Sequence, residues 1–170
     1  MIIITQKLNL KYNIIFLGAF SFLALIAAYI SQYVFDLQPC ILCIYQRWPY
    51  FLVVVIMVLS FFVSKKNILA ILLAISILAI FGESLLAFYH VMVEYKIFKG
   101  FGGCSAKDLS AITNIVELKK AINDQPLVKC SEPQFHFLGL TMAFWNMIYS
   151  LILLFFTIYF ICCKTRNINR

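Results

Sequence analysis

Four separate stretches of this sequence are apolar for about twenty residues or more, and no other feature limits the possible folds as strongly. They run from about Tyr12 to Phe35, Cys43 to Val63, Ile68 to Met92 and Leu138 to Cys162. The hydrocarbon core of a bilayer is about 30 Å thick and takes roughly 20 mostly apolar residues to cross as an α-helix. Lipid offers no partners to backbone N–H and C=O groups, so a span must satisfy its own, as a helix does. The polar–apolar alternation that barrel strands need is missing. Composition agrees, because only 12% of the 170 residues are charged, against about 25% in a soluble domain. The expectation is an all-α membrane protein, one domain over residues 1–170, folded as a four-transmembrane-helix bundle. Lys7 and Lys11 before the first run imitate a secretory signal. The run is longer than the roughly 7–15 apolar residues of such a signal, and Ala27-Ala28-Tyr29 is not an A-x-A cleavage site, so it reads as a retained first span.

Charge sets the expected orientation. Lys7, Lys11, Lys65, Lys66, Lys164, Arg166 and Arg170 flank the spans on one side, with no acidic residue among them. The other basic residues are balanced by all seven acidic ones, so the net charge of +7 sits on that side. Basic flanks mark the cytoplasmic face. Both termini are therefore expected inside, with a short loop from Asp36 to Cys40 and a long one over about residues 93–137 outside. A nucleic-acid partner explains this charge poorly, since it is divided among three short membrane-flanking segments.

Six cysteines divide between the faces. Cys162 and Cys163 fall at the inner end of the fourth span, as small apolar residues with free thiols. Cys40, Cys43, Cys104 and Cys130 fall outside, where disulfides persist. Pro39 favours extended backbone before Cys40-Ile41-Leu42-Cys43, and the apolar run follows at once, so the motif straddles a helix N-terminus. The partial positive charge there favours a thiolate, the species that attacks disulfides. An inert staple and half a zinc site are the alternatives. Structural zinc sites usually show two close ligand pairs, whereas Cys104 and Cys130 lie far apart in the chain. Arg47 stands four residues after Cys43, and helical side chains lean towards the N-terminus, so its guanidinium is expected beside the Cys43 sulfur. There it would favour the thiolate and hold an oxygen of a membrane-dissolved acceptor; simple snorkelling is the alternative.

The segment between Cys104 and Cys130 reads as one amphipathic helix, with Leu109, Ile112, Ile115, Val116 and Ile122 on a stripe. Ser105 to Asp108 resembles a capping box, and such a helix can lie on lipid headgroups. Gly100, Gly102 and Gly103 precede Cys104. A loop disulfide with such shoulders is open to another protein's cysteine, though a plain loop staple fits equally well.

Pro39-Cys40-Ile41-Leu42-Cys43-Ile44-Tyr45-Gln46-Arg47 resembles the signature of the bacterial DsbB disulfide-bond formation proteins. Tyr89-His90, the cysteines at 104 and 130, and the run from Phe137 to Asn146 resemble further family segments in order. The resemblance implies a four-helix bundle in the bacterial inner membrane that reoxidises the periplasmic thiol oxidase DsbA. Electrons would pass on to ubiquinone, or to menaquinone, in the system that keeps the periplasm oxidising. It implies that a Cys104–Cys130 disulfide receives electrons from DsbA through Cys104. The Cys40–Cys43 pair would then reoxidise the loop, with Cys43 engaging the quinone and Arg47 and His90 as quinone-site residues. No resident metal is implied.

Gln46 stands where the family commonly has an acid. Glu83 matches no family residue; an intramembrane acid is a functional candidate by default, but with no partner visible it is expected to be neutral and structural. His90 reads as a satisfied polar residue at the interface or as a quinone contact. Three rivals remain at this level. In a vitamin K epoxide reductase-like protein the C-x-x-C opens the last helix rather than the second. A metal binder would use the four outer thiols, and a dedicated paralogue would serve one substrate.

Overall fold

The computed structural model describes residues 2–100, 104, 129–133 and 135–168, with side chains from Leu8 to Cys162. In chain order the elements are α1 (Ile2–Tyr33), α2 (Ile41–Phe62), α3 (Lys66–Glu94), β1 (His136–Phe137), β2 (Leu140–Thr141) and α4 (Met142–Ile168). All four helices contain a segment long and apolar enough to cross a membrane: Leu8–Tyr33, Ile41–Phe62, Lys66–Glu94 and Met142–Cys162. The amphipathic helix expected between Cys104 and Cys130 lies outside the described residues.

The helix ends differ from the apolar runs for local reasons. The first helix stops at Tyr33 and not Phe35, because the chain reverses through Asp36 at φ 52° while Leu37 N–H donates to Ser31 O at 3.1 Å. The second starts at Ile41, two residues earlier than its apolar run, with Cys40 as its N-cap. The fourth starts at Met142 and not Leu138. Leu138 and Gly139 have φ of 53° and 79° and form the two-residue turn that pairs His136 with Thr141 and Phe137 with Leu140. Positive φ at both central residues is what such a hairpin turn demands, and a right-handed helix cannot begin through it. Thr141 then caps α4, its Oγ1 accepting from Phe144 N–H at 3.2 Å.

α1 packs on α2, α2 on α3 and α3 on α4, while α1 also reaches α3 and α4. Ile14, Leu17, Val53, Ile56, Ile80 and Leu153 form the centre. At Gly18 an added Cβ would overlap the Met57 side chain, so a glycine there lets α1 and α2 approach closely. The outside carries exposed Phe22, Leu23, Phe51, Leu78 and Phe155, the surface a lipid-facing bundle requires. Several buried hydroxyls are satisfied within the bundle: Ser76 and Thr157 donate to carbonyls one turn back, and Ser84 Oγ bonds Ile80 O and Ser150 Oγ on α4.

Glu83, which shows no partner in the sequence, has one here. Asn146 Nδ2 on α4 donates to Glu83 Oε1 at 2.7 Å, and Tyr50 Oη on α2 donates to Asn146 Oδ1 at 2.9 Å. This polar chain crosses the bundle from α2 through α4 to α3.

α1 and α4 touch where the Phe16 and Phe160 rings lie 5.5 Å apart and where Tyr149 Oη donates to Phe20 O at 2.7 Å. Nearer the Cys40 end of the bundle, a cleft of about 670 Å³ lies between them, lined by Ala28 from α1 and Ala143 from α4.

Candidate redox site

Cys40 has extended backbone (φ −72°, ψ 168°), and its Sγ accepts from the Cys43 backbone N–H at 3.3 Å. The sulfur thus occupies the place that a serine or aspartate oxygen takes in an ordinary N-cap, using one of the free donors at the helix start. The Cys40 and Cys43 sulfurs are 3.0 Å apart and not bonded to each other. On the other side His90 Nε2 of α3 lies 3.4 Å from Cys40 Sγ. The Cys43 thiol beside it is the largest influence on the Cys40 thiol, holding it well below the usual range against the opposing cost of burial. His90 and the Cys43 N–H act in the same direction. The thiolate that the helix N-terminus favours is therefore Cys40.

Cys104 and Cys130 form a disulfide, joined also by a Cys130 N–H to Cys104 O hydrogen bond of 3.4 Å. Both are packed with Cys40, Leu42 and Val93 in one buried cluster. Gly100 makes room for this, since an added Cβ would overlap the Cys104 Cβ. Cys104 is 3% and Cys130 2% exposed. In this conformation the pair is set against Cys40.

Arg47 also departs from expectation. Its Nη1 donates to Gln32 Oε1 at 2.7 Å and its guanidinium stacks 5.0 Å from the Tyr29 ring centroid, both on α1. Among the described residues no hydrogen bond joins it to Cys43. Sequence spacing along α2 gave the face correctly, but a planar guanidinium bonds an amide and an aromatic face better than a thiol. Arg47 still lines the cleft, together with Cys40, Cys43, Gln46 and His90. Gln46 is 5% exposed, and among the described residues its Nε2 has no hydrogen-bond partner, which leaves a buried amide donor at the cleft wall.

The donor atoms of Cys40, Cys43 and His90 lie within 4.8 Å of one another. Tetrahedral zinc with bonds of about 2.3 Å would hold two sulfurs about 3.8 Å apart, wider than the 3.0 Å found here. The geometry is that of a dithiol one step from its disulfide.

A family model described as disulfide bond formation protein DsbB matches residues 11–160. The chain belongs to the DsbB family. An uncharacterized protein of Rickettsia prowazekii (strain Madrid E), RP370, is 30% identical to it over 137 residues, 80% of this chain and 78% of that protein. No solved structure matches. As a DsbB-family member the chain is a multi-pass membrane thiol–disulfide oxidoreductase concerned with disulfide bond formation.

Several residues of this DsbB-like site escape sequence reasoning. Gln32 and Tyr29 hold Arg47 from another helix, and nothing in the sequence points to them. Glu94 had a faint signal. It stands four residues after His90, and its Oε1 is 3.8 Å from His90 Nε2. Its Oε2 accepts from Thr141 Oγ1 at 2.6 Å.

Proposed function

We propose that this DsbB-family chain reoxidises a periplasmic DsbA-like thiol oxidase and passes the electrons to membrane quinone. In this reading the cysteine end of the bundle faces the periplasm, both termini face the cytoplasm, and the protein resides in the bacterial inner membrane. One observation carries the proposal: both cysteine pairs meet in one buried cluster that opens on the cleft. A disulfide against a thiolate-forming Cys40 is the arrangement that exchange between the pairs requires, because exchange proceeds by attack of a thiolate on a disulfide sulfur.

The roles divide as follows. Cys104 takes the partner's thiol and the loop pair becomes reduced. The reduced loop then transfers its electrons to the oxidised Cys40–Cys43 pair. A Cys40 held as thiolate stabilises the reduced form of its pair and so makes the Cys40–Cys43 disulfide the stronger oxidant, as a low thiol pKa does in this chemistry. Since Cys104 and Cys130 are buried on Cys40, Cys104 must become exposed to meet the partner and pack again on Cys40 to be reoxidised.

The cleft fits a quinone ring. Its volume of about 670 Å³ lies within the roughly 300–1,000 Å³ of small-molecule sites. Gln46 Nε2 and the Arg47 guanidinium supply donors for carbonyl oxygens, Cys43 supplies the reacting sulfur, and the α1–α4 seam gives a lateral route from lipid. When bound, ubiquinone or menaquinone supplies a two-electron, two-proton sink. A two-electron step gains about tenfold for each 30 mV, so that sink drives the whole relay.

The test is direct. Purified protein given a reduced DsbA-like partner reduces a soluble quinone, and Cys104→Ser stops it. Turnover persisting in that variant would refute the two-pair relay.

A further inference from the structure

Beside the cysteines stands an acid that the relay so far does not use. Glu94 closes the last turn of α3, and its side chain is only 8% exposed. One carboxyl oxygen takes the Thr141 hydroxyl at 2.6 Å, and the other faces His90 Nε2 at 3.8 Å. The same Nε2 is 3.4 Å from Cys40 Sγ. Sulfur, imidazole, carboxylate and capping hydroxyl thus form a line from the head of α2 across α3 to the head of α4. We propose that Glu94 is a positioning residue that makes His90 the proton acceptor for Cys40, so that the pair holds the Cys40 proton at the cleft until the electrons leave.

The geometry gives each group its task. His90 approaches the sulfur through Nε2, and among the described residues its buried Nδ1 has no hydrogen-bond partner. Proton transfer from Cys40 leaves a thiolate and an imidazolium in contact. Glu94 Oε1 faces that same Nε2 at 3.8 Å, so a carboxylate there favours the protonated imidazole beside the thiolate in a buried site where charges need partners. The Thr141 hydroxyl fixes the carboxylate while its own oxygen caps α4. The other titratable groups facing Glu94 are Cys40 and Cys43 from the start of α2 and His136 from the hairpin, with Lys129 and Glu132 also on the cleft wall.

The redox step balances with this proton. A Cys40 thiolate and a Cys43 thiol forming their disulfide give up two electrons and one proton. The proton held by His90 is the second, and two electrons with two protons reduce a quinone to its quinol. That final transfer rests on the quinone reading above, whereas the transfer from Cys40 to His90 does not.

The experiment therefore needs neither quinone nor partner. The reduced full-length chain, stripped of quinone, is alkylated with iodoacetamide across a pH series, and Cys40 modification is followed by peptide mass. Glu94→Gln keeps the size and the Thr141 bond but removes the charge. It is expected to move the Cys40 profile upward by up to about one unit, the lost support for the imidazolium outweighing the relief of repulsion between Glu94 and the Cys40 thiolate, so that alkylation below the midpoint is up to about tenfold slower. Glu94→Asp, which keeps the charge, is expected to shift it less. An unchanged profile in Glu94→Gln, or equal shifts in both variants, overturns the proposal and leaves Glu94 as an anchor for Thr141. If Glu94→Gln fails to fold, His90→Gln tests the same path: an upward shift supports it, and none overturns it. A failure of wild-type quinone reduction would refute the function proposed above without touching this result.

Discussion

Asn146→Leu is expected to destabilise the bundle by about 2–4 kcal/mol, and Glu83→Leu to remove most of that cost. Asn146 makes two interhelical bonds, donating to Glu83 Oε1 and accepting from Tyr50 Oη. Such bonds in membrane proteins average about 0.6 kcal/mol, so losing both costs about 1.2 kcal/mol. The larger part comes from what remains. Glu83 is 0% exposed, and among the described residues its Oε2 already lacks a partner. Leucine at 146 leaves neither carboxyl oxygen bonded, which costs a further 1–3 kcal/mol or so. Glu83→Leu alone exchanges one bond for the removal of a half-satisfied buried carboxyl, and should be within about 1 kcal/mol of wild type. In the double variant the stranded carboxyl is gone, so the two changes should be non-additive by more than about 1 kcal/mol. Unfolding of all four proteins in detergent, followed by tryptophan fluorescence, completes the cycle. Additivity within about 0.5 kcal/mol is what independent sites show, and it would refute the claim that Asn146 is what makes Glu83 tolerable in the bundle.

Arg47→Ala is expected to raise the apparent KM for quinone more than that for the thiol partner in steady-state assays; equal effects would reduce Arg47 to its anchoring contacts with Gln32 and Tyr29. Gly100→Ala should slow exchange between the two cysteine pairs several-fold, because its Cβ would overlap Cys104 and push the loop off Cys40. Trapping the interpair disulfide by acid quench measures this, and bundle stability should change by less than about 0.5 kcal/mol. For pH the sign follows from Cys40, whose thiol is lowered chiefly by Cys43. A depressed thiol stabilises the folded reduced protein in full above its unfolded value of about 8.5, and the gain is lost as pH falls through the folded value. Unfolding of the reduced chain should therefore become easier between neutral and acidic pH, and Cys40→Ser should flatten that trend.

Much of this protein could be read from its residues. Four apolar runs became four helices because a bilayer leaves the backbone no other choice. Pro39 followed by an apolar run put Cys40 and Cys43 at a helix start, and the backbone N–H of Cys43 does bond the Cys40 sulfur. Local hydropathy failed at Leu138, where an apolar residue sits in a left-handed turn and not a helix. It also could not see Glu94, whose meaning depends on Thr141 and Cys40, residues 47 and 54 positions away on other elements. Arg47 shows the same limit: its spacing indicated the correct face, while the partners on α1 that compete for its guanidinium decided its direction.

Legible in the residues alone were the membrane solvent, four apolar spans and the helix-end position of one cysteine pair, which follow from composition, periodicity and backbone chemistry acting within a turn or two of helix. The family was legible as a resemblance of motifs. Helix packing is what lays the Cys104–Cys130 disulfide on Cys40, brings His90 beside the Cys40 sulfur and gives Glu83 a partner. These depend on distances between residues far apart in the chain, and packing of four helices sets those distances, not any local pattern.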